Sequence, residues 1–450
     1  MPPRSLQYYG TDVTPVGYGG WLPTSPAVTD DFIEKHIRLA ADKMRRGADY
    51  SLNPCVEEFQ KAIKNDPVML DLFGQMILQA KTLGSKIDSF DQLIFMIDNI
   101  VTSPPGFHTT ATEDPQPVGV PLYVVLDLLS NTSAGYDLFR KPEFNTAMKA
   151  LLDCWGRYLT TPDSIRTLTN TEVGWFCQAG LDLLQSEGRG VFNDTYVCPD
   201  PNAVNRGYTS WDAFFTRDVQ PHARPITGPP QNFVVTNACE SKVFRIAYDV
   251  QAHDLFWLKF QKYSLYDMLN RDELYERFVG GTVYQAFLGP QDYHHWHAPV
   301  DGVVKKVVLV PGTYYATLPD DGAPVNDPEL EHHDPRGALI RSQPWLAMNA
   351  TRMLIYIQAD DPNIDLMCFI AVGMVEVSTC EKKVKEGDRV QRGDKLGLFH
   401  FGGSTHTLIF QQKAGVKFKT YDDNDQEVDV EVGMHLRVNQ MVGYAAGGAQ

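Results

Sequence analysis

An α+β protein is predicted from three observations on the 450-residue chain. Helical periodicity runs through about the first 187 residues, and short β-branched and aromatic runs follow from about residue 210. A stretch rich in Gly, Pro and Asn lies between the two. The expected organisation is an all-helical N-terminal domain over 1–187, a linker over 188–209 and a mostly antiparallel, β-rich domain over 210–450.

In chain order, DDFIEKHIRLAADKMRRG spaces Phe32, Ile33, His36, Ile37, Leu39 and Ala40 as one helical face and ends in a basic turn before Gly47. SFDQLIFMIDNI opens with Ser89 and Gln92 at capping-box spacing. PLYVVLDLLSN, EFNTAMKALLDCWGRYL and EVGWFCQAGLDLLQSEG continue the helical pattern, with a Pro/Gly-rich loop from Thr102 to Pro121. GRGVFNDTYVCPDPNAVNRG reads as the linker. Strands are then expected at NFVVTNA, KVFRIAYDV, GTVYQAFL, GVVKKVVLV, RMLIYIQA, LMCFIAVGMVEV, THTLIFQQ, VKFKTY and EVDVEV, each bounded by turn residues. The connection from Ala316 to Pro344 is longer than structureless loops usually run, so it is expected to cover a site or to be mobile. KKVKEGDRVQRGDKLGLFHF (382–401) reads as two hairpins delivering the chain to Gly402.

Composition bounds the function. A hydrophobic share of 43% and a charged share of 21% belong to a globular chain with a full core. The net charge of -16 argues against nucleic acid or anionic lipid as a standing partner. Seven scattered cysteines, with no C-x-x-C pair, read as reduced thiols and support neither a disulfide framework nor a zinc site. MPPRSLQYYGTDV lacks the apolar core of a secretory signal, and the longest apolar run, 366–375, is half a membrane span. A cytoplasmic protein without a membrane span is expected, and homo-oligomerisation is left open.

Two stretches carry candidate chemistry. DYHHWHAP holds His294, His295 and His297. In a turn His294 and His297 share a side; in a strand His295 and His297 do. A metal reading lacks partner ligands, so no metal is expected. In FHFGGSTHTLIF (399–410), Gly402 and Gly403 interrupt a strand pattern directly before Ser404. Glycine weakens a strand but permits a close approach of side chain and backbone. A serine hydroxyl so placed can attack the preceding carbonyl, and β-elimination and hydrolysis of the resulting ester leave a pyruvoyl group on a new N-terminus. That chemistry needs a base and a group to orient it, roles a histidine and a carboxylate can fill.

Several segments, in order, resemble the phosphatidylserine decarboxylase family of pyruvoyl enzymes. They are WDAFFTRDVQPHARPI (211–226), KYSLYDML (262–269), GTVYQAFLGPQDYHHWHAPVDGVVKKVVLVPGTYY (281–315) and FGGST (401–405). The resemblance implies a zymogen cut between Gly403 and Ser404, with Ser404 becoming the pyruvoyl cofactor and residues 404–450 remaining as a small partner chain. It assigns His297 to activation of the serine and His294 to the decarboxylation step. The family's leucine before G-S is Gly402 here, and its aspartate is replaced within TNACES, where Glu240 is the nearest carboxylate to complete a serine triad. GWLPTSPAV, EFQKAIKNDPV and NTSAGYDLF are similar to the soluble L-tryptophan decarboxylase branch.

What the resemblance implies is a carboxy-lyase acting through a Schiff base on a small aromatic L-amino acid such as L-tryptophan. The alternatives are a phosphatidylserine decarboxylase of phospholipid biosynthesis, and an uncleaved binding protein without activity.

Overall fold

The computed structural model describes residues 17–18, 20–253, 263–376, 379–401 and 403–448. Residues 1–13 of the signal-peptide argument, Lys262 of the KYSLYDML segment and Gly402 of the cleavage motif lie outside the described residues. Helices dominate the N-terminal part and antiparallel strands the C-terminal part, giving the expected α+β class.

The helices α1 (Pro26–Arg46), α2 (Pro54–Lys64), α3 (Pro67–Ala80), α4 (Phe90–Ile100), α5 (Pro121–Ser130), α6 (Ser133–Phe139), α7 (Pro142–Leu159) and α8 (Gln178–Gln185) build the first layer. α1 ends at Gly47, whose φ of 53° lies in the left-handed region that favours glycine. It buries Phe32, Ile33, His36 and Ala40, whereas Leu39 faces outward. Ser89 caps α4 by accepting the Gln92 N–H at 3.1 Å, and the Gln92 side chain reaches the Asp88 N–H instead of that of Ser89.

Two expectations need correction. The loop between Thr102 and Pro121 folds into a hairpin of β1 (Gly106–His108) and β2 (Gln116–Val118), so the region is not all-helical. Cys55 and Cys154 form a disulfide because α2 and α7 pack side by side and bring their Cα atoms to 6.4 Å. Ninety-nine residues separate them, so spacing carried no trace of the pair. The other five cysteines are free.

Short helices α9 (Phe192–Thr195) and α10 (Trp211–Phe215) lead into the sheets. Phe192, Tyr196 and Tyr208, from the stretch read as a linker, are buried. The strands are β3 (Val234–Thr236), β4 (Ser241–Val250), β5 (Gly281–Leu288), β6 (His295–His297), β7 (Gly302–Val310), β8 (Arg352–Ala359), β9 (Leu366–Met374), β10 (Cys380–Lys382), β11 (Arg389–Val390), β12 (Lys395–Phe399), β13 (Gly403–Phe410), β14 (Lys419–Tyr421), β15 (Glu427–Asp429), β16 (His435–Leu436) and β17 (Met441–Tyr444). Every run read as a strand from sequence overlaps one of them.

The main sheet has eight strands in the order β11-β7-β8-β9-β13-β5-β4-β16. Side chains alternate across it with period two. Val283, Phe287, Ile370, Val372 and Ile409 face the helical layer; Tyr284, Ala286, Phe369, Ala371 and Leu408 face a second core closed by the smaller sheets β10-β12-β6 and β17-β3. Trp21 ties the helical layer to the sheet, stacking on Phe287 and donating its indole N–H to the Leu288 carbonyl at 2.9 Å. The long connection before β8 is likewise tied down. Asp127 of α5 accepts the Gly337 N–H, and Arg341 pairs with Asp320 at 2.7 Å and donates to the Tyr18 hydroxyl at 2.8 Å.

Candidate active site

β13 carries Ser404 between two neighbours, opposite Leu288 of β5 and Gly373 of β9, with its side chain fully buried. The turn from β5 to β6, Gly289 to His294, folds over this point. Asp292 shapes it, accepting the Gly289 N–H at 2.7 Å while its other oxygen meets Arg189 Nε at 2.7 Å and His435 Nε2 at 2.9 Å. Burial works against ionisation of Asp292, yet Arg189 and His435 hold its carboxyl well below the usual range. Arg217 clamps the same turn from outside, donating to the carbonyls of Gln291 at 2.5 Å and Phe214 at 3.2 Å.

The clamped turn aims His294 at the serine, with Nδ1 3.4 Å from Ser404 Oγ. The imidazole lies flat on Phe215, with ring centroids 4.0 Å apart and planes 23° apart. Burial lowers its pKa to about 3, so the ring is neutral at physiological pH and one of its two nitrogens is free to accept a proton.

His295 and His297 share a side of β6, the strand alternative of the sequence reading, while His294 points to the serine. His297 is engaged at both nitrogens, Nδ1 with the Gly393 carbonyl at 2.7 Å and Nε2 with the Tyr293 hydroxyl at 3.1 Å. A carbonyl can only accept, so Nδ1 bears the hydrogen and Nε2 accepts from Tyr293. Burial lowers the pKa of His297 to about 4. Glu240 is fully buried and bidentate on Arg224, at 2.5 Å to Nε and 2.6 Å to Nη2. Burial opposes its ionisation and Arg224 overcomes this, lowering the pKa. In the segment around Glu240 the Ala238 carbonyl accepts the His297 N–H at 2.8 Å. The structure therefore brings Ser404 and His294 together, and it places His297 on Tyr293 and Glu240 on Arg224.

Phe215, Asp292, Arg189 and Arg217 shape this site without having been singled out from sequence. Phe215, Arg217 and Asp292 lie inside quoted motif segments, but which group each one touches depends on contacts across 74 residues or more. Among the described residues no group of three His, Cys, Asp or Glu side chains is arranged to hold a metal ion.

A cleft of about 340 Å³ opens beside Phe401, lined by Trp155, Gly156 and Arg157 of α7 together with Asp212, Glu376 and His400. Phe401 meets Trp155 edge-on at 4.9 Å and Phe215 at 5.8 Å. One aromatic layer thus separates the cleft from His294.

A family model described as phosphatidylserine decarboxylase matches residues 211–444, and a second model for the same decarboxylase matches residues 53–184. Decarboxylase iboD of Amanita muscaria is 56% identical over 352 residues, covering 77% of this chain and 98% of its own length. An L-tryptophan decarboxylase of Psilocybe cubensis is 32% identical over 433 residues, 94% of this chain and 93% of its own. Phosphatidylserine decarboxylase proenzyme 3 of Schizosaccharomyces pombe is 29% identical over 206 residues, 46% of this chain and 19% of its own. Among the described residues no helix is long and apolar enough to cross a membrane.

Proposed function

The chain is a decarboxylase of the phosphatidylserine decarboxylase family, and on that premise we propose that it cuts itself between Gly403 and Ser404, converts Ser404 to a pyruvoyl group and removes CO2 from an aromatic L-amino acid such as L-tryptophan. The observation that carries the reading is the buried Ser404 hydroxyl with the neutral His294 imidazole beside it. A serine at the start of a strand, preceded by glycine and facing a proton acceptor, fits the precursor of that group.

In this reading the Ser404 oxygen adds to the Gly403 carbonyl carbon, its proton passes to His294 Nδ1, and the amide becomes an ester. Loss of the Ser404 Cα proton expels residues 1–403 with a terminal carboxylate. Water then converts the remaining dehydroalanine to the ketone, releasing ammonia. His294 takes the serine proton here, a role the family resemblance gives to His297, because Nδ1 of His294 is the nitrogen at the hydroxyl. His297 acts as a positioning residue that fixes Tyr293 next to His294. Once formed, a pyruvoyl group supplies a ketone for the substrate's amine and an electron sink as CO2 leaves. His294 then stands where a proton can be returned to the carbon that lost it.

Two facts support an amino acid over a phospholipid as substrate. Similarity to the L-tryptophan decarboxylase runs over 94% of the chain, while that to the fission-yeast phosphatidylserine decarboxylase covers 46%. The cleft beside Phe401, at about 340 Å³, has the size of a site for a small molecule. A cytoplasmic location goes with such a substrate. Mass spectrometry of the purified protein should find a chain ending at Gly403 and a ketone-blocked chain beginning at residue 404. CO2 release should then be measured with L-tryptophan, other L-amino acids and phosphatidylserine liposomes. Release from liposomes alone would overturn the substrate, and an intact chain would overturn the mechanism.

A further inference from the structure

Glu376 is a buried carboxyl that the serine chemistry leaves unused. Met374 pairs with Gly403 across β9 and β13, and Glu376 follows two residues later in the turn that ends β9, where Val375 takes a φ of 50°. It is 5% exposed, and its Oε1 accepts the N–H groups of Leu122 at 2.7 Å and Tyr123 at 3.0 Å at the start of α5. Its Oε2 is buried without a hydrogen-bond partner, on a side chain that lines the cleft. A buried polar atom left so is unfavourable, and a donor brought by a ligand can satisfy it.

The other charges around the cleft differ in kind. Asp212 is paired with His400 at 3.0 Å, Asp153 with Lys149 at 2.6 Å, and Arg157 sits exposed at the rim. The Tyr315 hydroxyl, likewise buried, stands beside the Glu376 carboxyl and acts on it as a donor too poorly placed for a full hydrogen bond, so an incoming ammonium competes with it for Oε2. The walls are the rings of Trp155 and Phe401. The two rings pack on each other as one apolar wall, and the cationic His400 opposite is neutralised by Asp212, which leaves the Glu376 carboxyl as the buried oxygen beside an aromatic surface that suits a cation carried on an apolar body.

We propose that this cleft binds a primary amine, the ammonium of the amino acid substrate and of its amine product, with the Glu376 carboxylate as counter-ion and Trp155 and Phe401 as walls for the side chain. The identity of the amine rests on the function proposed above; the amine site itself does not. Burial raises the Glu376 pKa to about 8. Near pH 7 the carboxyl is therefore mostly protonated, and an incoming ammonium displaces its proton to solvent.

The test uses the full-length chain with Ser404→Ala, which cannot form the ketone, and tryptamine as the probe. Calorimetry near pH 7 in two buffers of different ionisation enthalpy should show about one proton released per tryptamine bound. Affinity should rise with pH up to about 8 and level off above it. Indole-3-propionate, with the same ring and an anionic end, should bind about tenfold or more weakly. Adding Glu376→Gln should weaken tryptamine by about tenfold or more and abolish the proton release. A Cβ at Gly156 meets nothing within 4 Å beyond its own helix backbone, so Gly156→Leu should fill the cleft and block tryptamine without lowering the melting temperature.

Absence of tryptamine binding, binding without proton release, or equal affinity in the Glu376→Gln or Gly156→Leu protein would overturn the proposal. A chain that neither cuts itself nor releases CO2 from an amino acid would sink the functional reading while leaving this titration to stand on its own.

Discussion

Nδ1 of His294 lies 3.4 Å from Ser404 Oγ while the face of the same ring rests on Phe215. The stacking fixes the ring plane and the serine occupies one edge, so orientation comes from an aromatic surface where a serine triad would use a carboxylate. Ser404→Ala should abolish scission, leaving one band on a denaturing gel. His294→Ala should slow it by about 10²- to 10⁴-fold, the range for loss of a positioned base. The measurement is the time course of full-length chain after synthesis in a cell-free system.

Glu240 and Arg224 form a buried ion pair, and Glu240 makes no side-chain contact with His297 in which it could act as the third member of a triad. Glu240→Ala should destabilise the fold by about 3–5 kcal/mol, because it strands the Arg224 cation in the interior. Urea unfolding measures this. At a permissive temperature Glu240→Gln should still process at a rate close to that of the parent chain, whereas a residue orienting the base would slow it by orders of magnitude.

Stability should fall steeply in mild acid. Burial holds His36, His294 and His406 at about 3 and His295 and His297 at about 4, against 6.5 for an ordinary histidine. The unfolded chain takes up these protons first, so their contribution is complete above 6.5 and is lost as pH falls from there towards 4. Each neutral histidine adds a slope of about 1.4 kcal/mol per pH unit within that window. His400 runs the other way. Hydrogen bonding to Asp212 raises it to about 9, so its contribution is present below 6.5 and is lost as pH rises through 9. Urea midpoints between about pH 4.5 and 10 should trace both flanks; a flat acid flank would contradict the burial of these rings.

Reducing the Cys55–Cys154 bond should lower stability by about 2–4 kcal/mol, since it closes a long loop between α2 and α7. Cys154→Ser should reproduce the loss and make the protein insensitive to dithiothreitol. Equal melting temperatures with and without reductant would show that the bond carries no such load.

What the sequence disclosed depended on range. Runs such as GVVKKVVLV and RMLIYIQA carry their own strand signal, and they fold as β7 and β8. The capping pair at Ser89 and Gln92 is local and is present, with the Gln92 end shifted by one residue. The hairpin at 106–118 was missed because its Pro- and Gly-rich strands have three residues each, too few for a period. Ser404 was legible because two glycines in a strand pattern demand a reason. Its neighbour was legible only as one of three histidines, since the choice among them is made by Asp292, Arg189 and Arg217 holding the turn. Glu376 gave no signal, because its partners at Leu122 and Tyr123 are 254 and 253 residues away.

The strand that begins at Gly403 is zipped on both flanks, seven residues against β5 and seven against β9. The piece beginning at Ser404 also supplies β16 at the sheet edge and β17 against β3. A cut there would leave the folded body whole but change what unfolding means. One chain would go into the fold and two would come out, so renaturation would become a second-order event that slows on dilution, and the lifetime of the mature protein would be set by its unfolding barrier.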